Sequence, residues 1–386
     1  MTGIQRGEAS KDRASPLPTV QFVSKSIGPP FRDGTKCFVR DLTNHLETVR
    51  PLVLGTSEDS PELKAERISL YEGGRHFAPG LRDNMTAFLW LLTRSRANLW
   101  HFVFAPNPRS SQMARALGWL RHIPTVQTVA SPPRSFDHPA RLLFGHRVVT
   151  QSRWTRDRFF DAYRALGQEP PPIEVIPPIA PAVPIPSPEA TLRVRSALEV
   201  SPDDELLVYP GDLEMSQGAD RVALLARELA QRTTLRRPTV VFAYRNKTPR
   251  AALRARELSE TLAGTGARFL PETSDIHALL RTATAILFPV DDLYGKVDMP
   301  IVLLEAIRLG TPIVTSGEGP LGELTRAHHH PFEIPTWLET LGAILRGKDR
   351  EPPPRDLGPH EPEAAARAYE ALYEELLAPR KKGQSG

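Results

Sequence analysis

Cys37 is the only cysteine among 386 residues, so the chain can form no internal disulfide and reads as one made for a reducing, cytoplasmic setting. No run of roughly 18 apolar residues occurs, and no transmembrane helix is expected. The opening MTGIQRGEASKDRASPL has no apolar core of the kind a secretory signal needs, and its polarity predicts a disordered tail over residues 1–17. No G-x-G-x-x-G follows the first predicted strand, which argues against a dinucleotide oxidoreductase. Lysine is missing between Arg75 and Arg158, where thirteen arginines face only Asp83, Asp137 and Asp157 as acids. Such a stretch either attracts anions, whether phosphate or lipid headgroups, or is a solvated surface. Zinc-finger spacing and aromatic RNA-binding motifs do not accompany it, so nucleic acid is not an expected partner. His328, His329 and His330 are consecutive and cannot share a helix face, so they read as a solvated loop rather than a metal site.

What is there is an alternation of short apolar runs with helical segments. The runs Val20–Ser24, Pro51–Leu54, Leu99–Phe104, Thr125–Val129 and Arg147–Gln151 read as strands of a first sheet. Leu206–Tyr209, Val240–Tyr244 and Arg268–Leu270 begin a second. Strands that alternate with helices argue for parallel sheets covered on both faces. The length also favours about two domains. Between them, nine of the residues from Pro170 to Pro188 are proline, which makes this stretch extended and semi-rigid. The expected organisation is a tail over 1–17, a first domain over 18–169, a linker over 170–188 and a second domain over 189–360. A helix over 361–378 would pack back toward the first domain, and 379–386 would fray. After the first strand, Gly28, Pro29, Pro30 and Gly34 form a loop, with Thr35 as the expected cap of a helix over Lys36–Leu46. Free N–H groups and the helix dipole at that point favour an anion, and Arg32 and Lys36 add charge.

The stretch from Ala285 to Glu323 organises the second half. Ala285–Val290 and Pro312–Thr315 read as buried strands, Ile301–Leu309 as the helix between them, and Gly310 as its positive-φ terminator. Such a βαβ unit carries ligands at the carboxyl ends of its strands, so Asp291–Met299 and Ser316–Gly319 share one rim. Glu305 is set among Leu303, Leu304 and Ile307, an apolar setting in which a carboxylate needs a polar partner.

The segment MPIVLLEAIRLGTPIVTSGEGPLGE resembles the donor-sugar motif of the retaining GT-B glycosyltransferases of family 4, within the glycosyltransferase group 1 superfamily. VVTQSRWTRDRFF is similar to that family's strand and serine-capped helix near the end of the first domain, with Ser152 as the cap. IEVIPP is similar to its strand and proline turn at the crossing to the second domain. The resemblance implies an α/β chain with the GT-B fold, two Rossmann-like, doubly wound parallel-sheet domains facing a cleft. It implies that Glu305 binds the ribose of a nucleotide-sugar donor and that Ser316, Gly317, Glu318 and Gly319 approach its sugar or diphosphate. Gly211 and Gly34 would line the donor and acceptor sides, and Pro271 and Glu272 would adjoin the base. The family carries a glutamate eight positions before the Glu305 equivalent. That position is Val297, with Asp298 beside it, so the acidic role is either shifted to Asp298 or lost. In PGDLEMSQGAD, Asp212 and Gln217 stand where the family has an arginine and a lysine that clamp the diphosphate, and Ala130 and Ser131 where many relatives have a histidine. An aspartate at that place repels a diphosphate unless it is turned away. Arg245, Lys247 and Lys296 emerge on the same carboxyl rim and are the candidate replacements.

The resemblance implies a retaining transferase that moves a sugar from a nucleotide sugar to a glycan, lipid-linked or small-molecule acceptor. The leaving phosphate would take the acceptor proton, with no metal or other cofactor. A cytoplasmic location is expected, with peripheral contact at the inner face of an anionic membrane as an extension. Two other functions are compatible with the same frame: a catalytically silent protein that binds a nucleotide sugar or a partner, and a sugar-nucleotide epimerase.

Overall fold

The computed structural model describes residues 16–31, 33–71, 80–232, 238–246, 248–273, 275–294, 296–347 and 352–379. Its first half runs β1 (Thr19–Ile27), α1 (Gly34–His45), β2 (Arg50–Gly55), β3 (Glu66–Ser69), α2 (Leu81–Thr93), β4 (Leu99–Phe104), α3 (Pro108–Arg121), β5 (Thr125–Val129), α4 (Pro139–Leu142), β6 (Arg147–Thr150), α5 (Arg153–Ala165) and β7 (Ile173–Val175). These strands form one sheet in the order β3-β2-β1-β4-β5-β6-β7, and every pairing is parallel.

The second half runs α6 (Pro188–Ala197), β8 (Leu206–Tyr209), α7 (Gly218–Gln231), β9 (Thr239–Tyr244), α8 (Pro249–Thr261), β10 (Arg268–Pro271), α9 (Ile276–Thr282), β11 (Ala285–Phe288), α10 (Ile301–Arg308), β12 (Ile313–Thr315), β13 (His328–His329), α11 (Ile334–Leu345) and α12 (Pro362–Leu377). Its strands form a second parallel sheet, β10-β9-β8-β11-β12-β13. The central strands are apolar and buried throughout, as in Leu206–Tyr209 and Ala285–Phe288, because helices cover both faces. In each sheet the order reverses between two adjacent strands, β1 and β4 in the first and β8 and β11 in the second. At such a switch point a crevice opens at the carboxyl ends.

The helix ends follow local chemistry. Gly310, at φ 72, ends α10 as its sequence predicts. Ser152 caps α5, accepting from the Thr155 amide. Two predictions need correction. The cap of α1 is Asp33 rather than Thr35, because its longer carboxylate reaches the amides of both Thr35 and Lys36. The anion expected at that helix start is therefore already present as a side chain. His328 and His329 form the edge strand β13 rather than a loop, because pairing with Val314 and Thr315 supplies backbone partners that a sequence pattern cannot reveal.

The C-terminal helix returns to the first domain. Tyr369 and Tyr373 of α12 are fully buried in the core that Phe22, Phe38 and Val126 begin. There His101 bridges Tyr373 Oη at 2.7 Å and Thr128 Oγ1 at 2.8 Å, and Tyr369 Oη lies 3.0 Å from the same Thr128 oxygen. Burial drives the His101 ring down to about 3, so this histidine is a neutral structural group. Among the described residues no helix is long and apolar enough to cross a membrane.

Candidate active site

A cavity of about 580 Å³ lies where the carboxyl ends of the two sheets face each other. Lys25, Asp33 and Ser131 line it from the first domain, with Gly34, Cys37 and Arg40 on the start of α1. Opposite them lie Pro210–Asp212 after β8, Ala243–Arg245 at β9, Glu272 and Thr273 between β10 and α9, and His277 in the first turn of α9. Pro300–Val302 and Glu305 line it from α10. Parallel strands deliver these loops to one rim, which is why residues far apart in sequence converge.

On the first-domain wall the charges are paired. Asp33 meets Lys25 at 2.9 Å while it caps α1. Burial would raise this carboxyl, but Lys25 and the capped amides, with Arg245 acting across the cleft, hold it below the ordinary range. Arg40 donates to Asp41 and Glu62, each at 2.7 Å, and lies over the Phe31 ring. Cys37 donates to the Phe31 carbonyl, and burial pushes its thiol up to about 12, so no thiolate nucleophile is available here.

The second-domain wall explains the unusual aspartate. Asp212 does turn: its carboxylate accepts from the Met215 amide at 3.0 Å and meets Lys296 Nζ at 3.1 Å. Tyr209 holds the same turn by donating to the Asp212 carbonyl at 2.8 Å. The two charged side chains are 1% and 8% exposed, so Lys296 is committed to Asp212 as a buried pair. Lys296 was expected to compensate a diphosphate, and here its charge goes to the residue that replaced the family's arginine. Gly211 permits this turn, since a Cβ there would sit 2.3 Å from the Tyr209 ring. Gln217 is exposed and receives no side-chain cap role at the start of α7.

Glu305 has the polar partner its apolar neighbours demand. Its Oε1 lies 3.2 Å from His277 Nε2, and both side chains line the cavity. One turn earlier, α10 begins at Ile301, and its N-cap residue, Pro300, offers no side-chain cap. Its first turn, Ile301 and Val302, faces the cavity and presents the positive end of the helix dipole.

Several other predicted residues lie elsewhere. Asp298 does not line the cavity. It is fully buried and accepts from Ser152 Oγ of the first domain at 2.7 Å. Val297 lines the cavity instead and closes on Gly34, where an added Cβ would stand 3.1 Å from it. Ser316, Gly317, Glu318 and Gly319 are also outside the cavity lining. Ser316 donates to the Val290 carbonyl at 2.8 Å, Glu318 lies 3.6 Å from Arg221, and Gly319 opens a turn that approaches Trp154 of the other domain. The turn is drawn away because Glu323 accepts from the Arg153 and Trp154 amides at the start of α5. Of the predicted pair Pro271 and Glu272, only Glu272 reaches the cavity. Arg245 lines it, and Lys247 lies outside the described residues. Sequence reasoning missed His277, Arg40 and Glu62. His277 follows β10 on the same carboxyl rim, which is the one signal that points to it. No cluster of three metal-ligating side chains occurs among the described residues.

Residues 204–340 match the family model described as "Glycosyl transferases group 1". No curated protein is similar enough in sequence to count as a relative. Among solved structures, a glycosyltransferase from Rickettsia africae ESF-5 superposes with a TM-score of 0.68 at 12% identity, over 95% of this chain and 100% of that one. Alr3699/HepE of Anabaena, in complex with UDP and glucose, gives 0.63 at 14% identity, over 93% and 99%. WaaG, a glycosyltransferase involved in lipopolysaccharide biosynthesis, gives 0.60 at 15% identity, over 94% and 100%. At such identities the likeness speaks for the fold and leaves the reaction to the site. The chain has the two-domain GT-B fold of these glycosyltransferases, and its second domain contains the stretch that the group 1 model describes.

Proposed function

We propose that this protein is a retaining glycosyltransferase of the family 4 type. A nucleotide-sugar donor would bind the second domain, and an acceptor would enter from the first. The observation that carries the reading is the placement of Glu305 and the uncapped start of α10 on the interdomain cavity, within the segment matched by the family model. The ribose diol meets the Glu305 carboxylate, and the base extends toward Glu272 and Thr273. The diphosphate lies between Gly211, the α10 N-terminus and Arg245. Oriented N–H dipoles and one guanidinium then stabilise the charge that develops on the leaving phosphate. The acceptor oxygen attacks from the face the diphosphate departs, and that phosphate takes its proton. The bond from the anomeric carbon to phosphate breaks as the bond to the acceptor forms, with configuration retained. No side-chain nucleophile, metal or cofactor enters this scheme, and the protein acts by positioning and charge compensation.

One observation favours a second reading, a nucleotide-sugar-binding protein that does not turn its ligand over. The buried Lys296–Asp212 pair leaves the diphosphate with less positive charge than the resembled enzymes provide. The acceptor side supports a cytoplasmic enzyme at an anionic membrane, because Arg82, Arg94, Arg96, Arg109, Arg134 and Arg141 are all exposed on the first domain. Equal sedimentation with neutral and anionic liposomes would remove that part of the reading. The function itself is tested by calorimetry against UDP-, GDP-, ADP- and TDP-sugars, followed by a nucleotide-release assay on each hit. Binding with release is expected. Binding without release, with every acceptor class tried, would favour the silent reading, and conversion of the sugar without acceptor would mark an epimerase.

A further inference from the structure

We infer that His277 is a positioning residue for the donor, fixing the Glu305 carboxylate so that its second oxygen is presented to the nucleotide ribose; this rests on the donor site proposed above. Glu305 sits on α10 with Leu303, Leu304 and Ile307 buried around it, and its side chain is 15% exposed. Among the described residues its carboxylate makes one hydrogen bond, from His277 Nε2 to Oε1. His277 comes from α9, the neighbouring element that follows β10, so two separate rim segments meet at this carboxylate. With Nε2–H donating to Oε1, the carboxylate cannot rotate freely, and Oε2 is left as the acceptor for a diol arriving from the cavity. A glutamate has three side-chain torsions to fix on binding, and a partner that fixes them beforehand removes part of that cost from the binding step. His277 need not touch the nucleotide to act in this way.

The partner also sets what the carboxylate can recognise. One oxygen engaged by a nitrogen donor leaves a single-acceptor site with a defined direction, suited to adjacent ribose hydroxyls. Removing His277 should therefore weaken binding of the ribonucleotide and reduce its advantage over the 2′-deoxy form together. A side chain that merely filled space would not change that ratio.

The experiment is calorimetric titration of the full-length protein with uridine, guanosine, adenosine and thymidine diphosphates, then with the 2′-deoxy form of the best ribonucleotide binder. It is repeated for His277→Ala, His277→Gln, Glu305→Gln and the double variant His277→Ala with Glu305→Gln. His277→Ala should weaken the ribonucleotide by about three- to tenfold, roughly the cost of immobilising one side chain, and lower the ribose-to-deoxyribose preference. His277→Gln, which keeps a donor near the Nε2 position, should recover part of the loss. In the Glu305→Gln background the histidine substitution should add nothing, because the two act through one contact. Melting temperatures of the single variants, compared with the parent, separate a binding effect from loss of fold. If the parent bound no nucleoside diphosphate, the donor reading and this inference would fall together. If the parent bound, Glu305→Gln weakened it and His277→Ala did not, only the positioning role would fall. Additive losses in the double variant would equally overturn it.

Discussion

Asp298 gives the sharpest prediction for stability. It is fully buried between the domains, and its Oδ2 accepts from Ser152. Burial pushes this carboxyl from 3.8 up to about 7. The Ser152 and Thr155 hydroxyls pull it back only in part, and the Glu323 charge adds to the rise. In the unfolded chain the same group releases its proton near 4. Between about pH 4 and pH 7 the folded protein therefore binds more protons than the unfolded one at this site. Its stability contribution falls as pH rises through that window and is level above it. At about 1.4 kcal/mol per pH unit, the loss approaches about 4 kcal/mol by pH 8. Asp298→Asn removes the charge while its amide oxygen can still accept from Ser152. We expect the variant to fall about 1 kcal/mol below the parent near pH 4, the cost of an imperfect hydrogen bond, and to exceed it by roughly 3 kcal/mol at pH 8. Urea unfolding of both proteins at half-unit steps from pH 4.5 to pH 8.5 reads the difference directly. A difference that stays constant across the range would mean Asp298 is ionised throughout, and the argument from burial would be wrong.

Three further outcomes concern the buried pair, the interdomain cap and Cys37. Lys296→Ala strands the buried Asp212 carboxylate and should cost about 3–5 kcal/mol, while Lys296→Met with Asp212→Leu should cost much less; urea midpoints of the two variants compare them. Glu323→Ala removes a cap that crosses the domain boundary and should cost about 1 kcal/mol. Hydrogen exchange should then speed up at the Arg153 and Trp154 amides but not in the β5 core. Cys37, with its thiol pushed up to about 12, should resist iodoacetamide at pH 8 in the native protein and react once unfolded, which mass spectrometry can follow.

The fold was legible because its central strands are apolar runs of the length a covered parallel strand needs. Leu99–Phe104, Thr125–Val129 and Leu206–Tyr209 stand where their sequences predict. The edge strands β3 and β13 were not seen, since Glu66–Ser69 and His328–His329 are short and partly exposed and owe their conformation to a neighbour, and β7 was legible only through the resemblance of IEVIPP. Around the cavity, position after a strand proved more informative than residue type. Arg245, Glu272 and Lys296 reach the cavity as their rim positions require, but the partner of Lys296 could not be read from the sequence. The turn Ser316–Gly319 lies off the cavity lining for a physical reason: Glu323 bonds to a helix of the other domain and draws it there. His277 had only its place after β10 to point to it, because its significance comes from meeting Glu305 between two helices, α9 and α10.

The central claim is that the cavity between the two sheets holds the donor nucleotide. A crystal structure of the protein with the tightest-binding nucleoside diphosphate tests it most directly. The ribose should lie at Glu305 and the diphosphate between Gly211, the start of α10 and Arg245. A nucleotide bound elsewhere, with the Glu305–His277 contact untouched and the cavity empty, would contradict it.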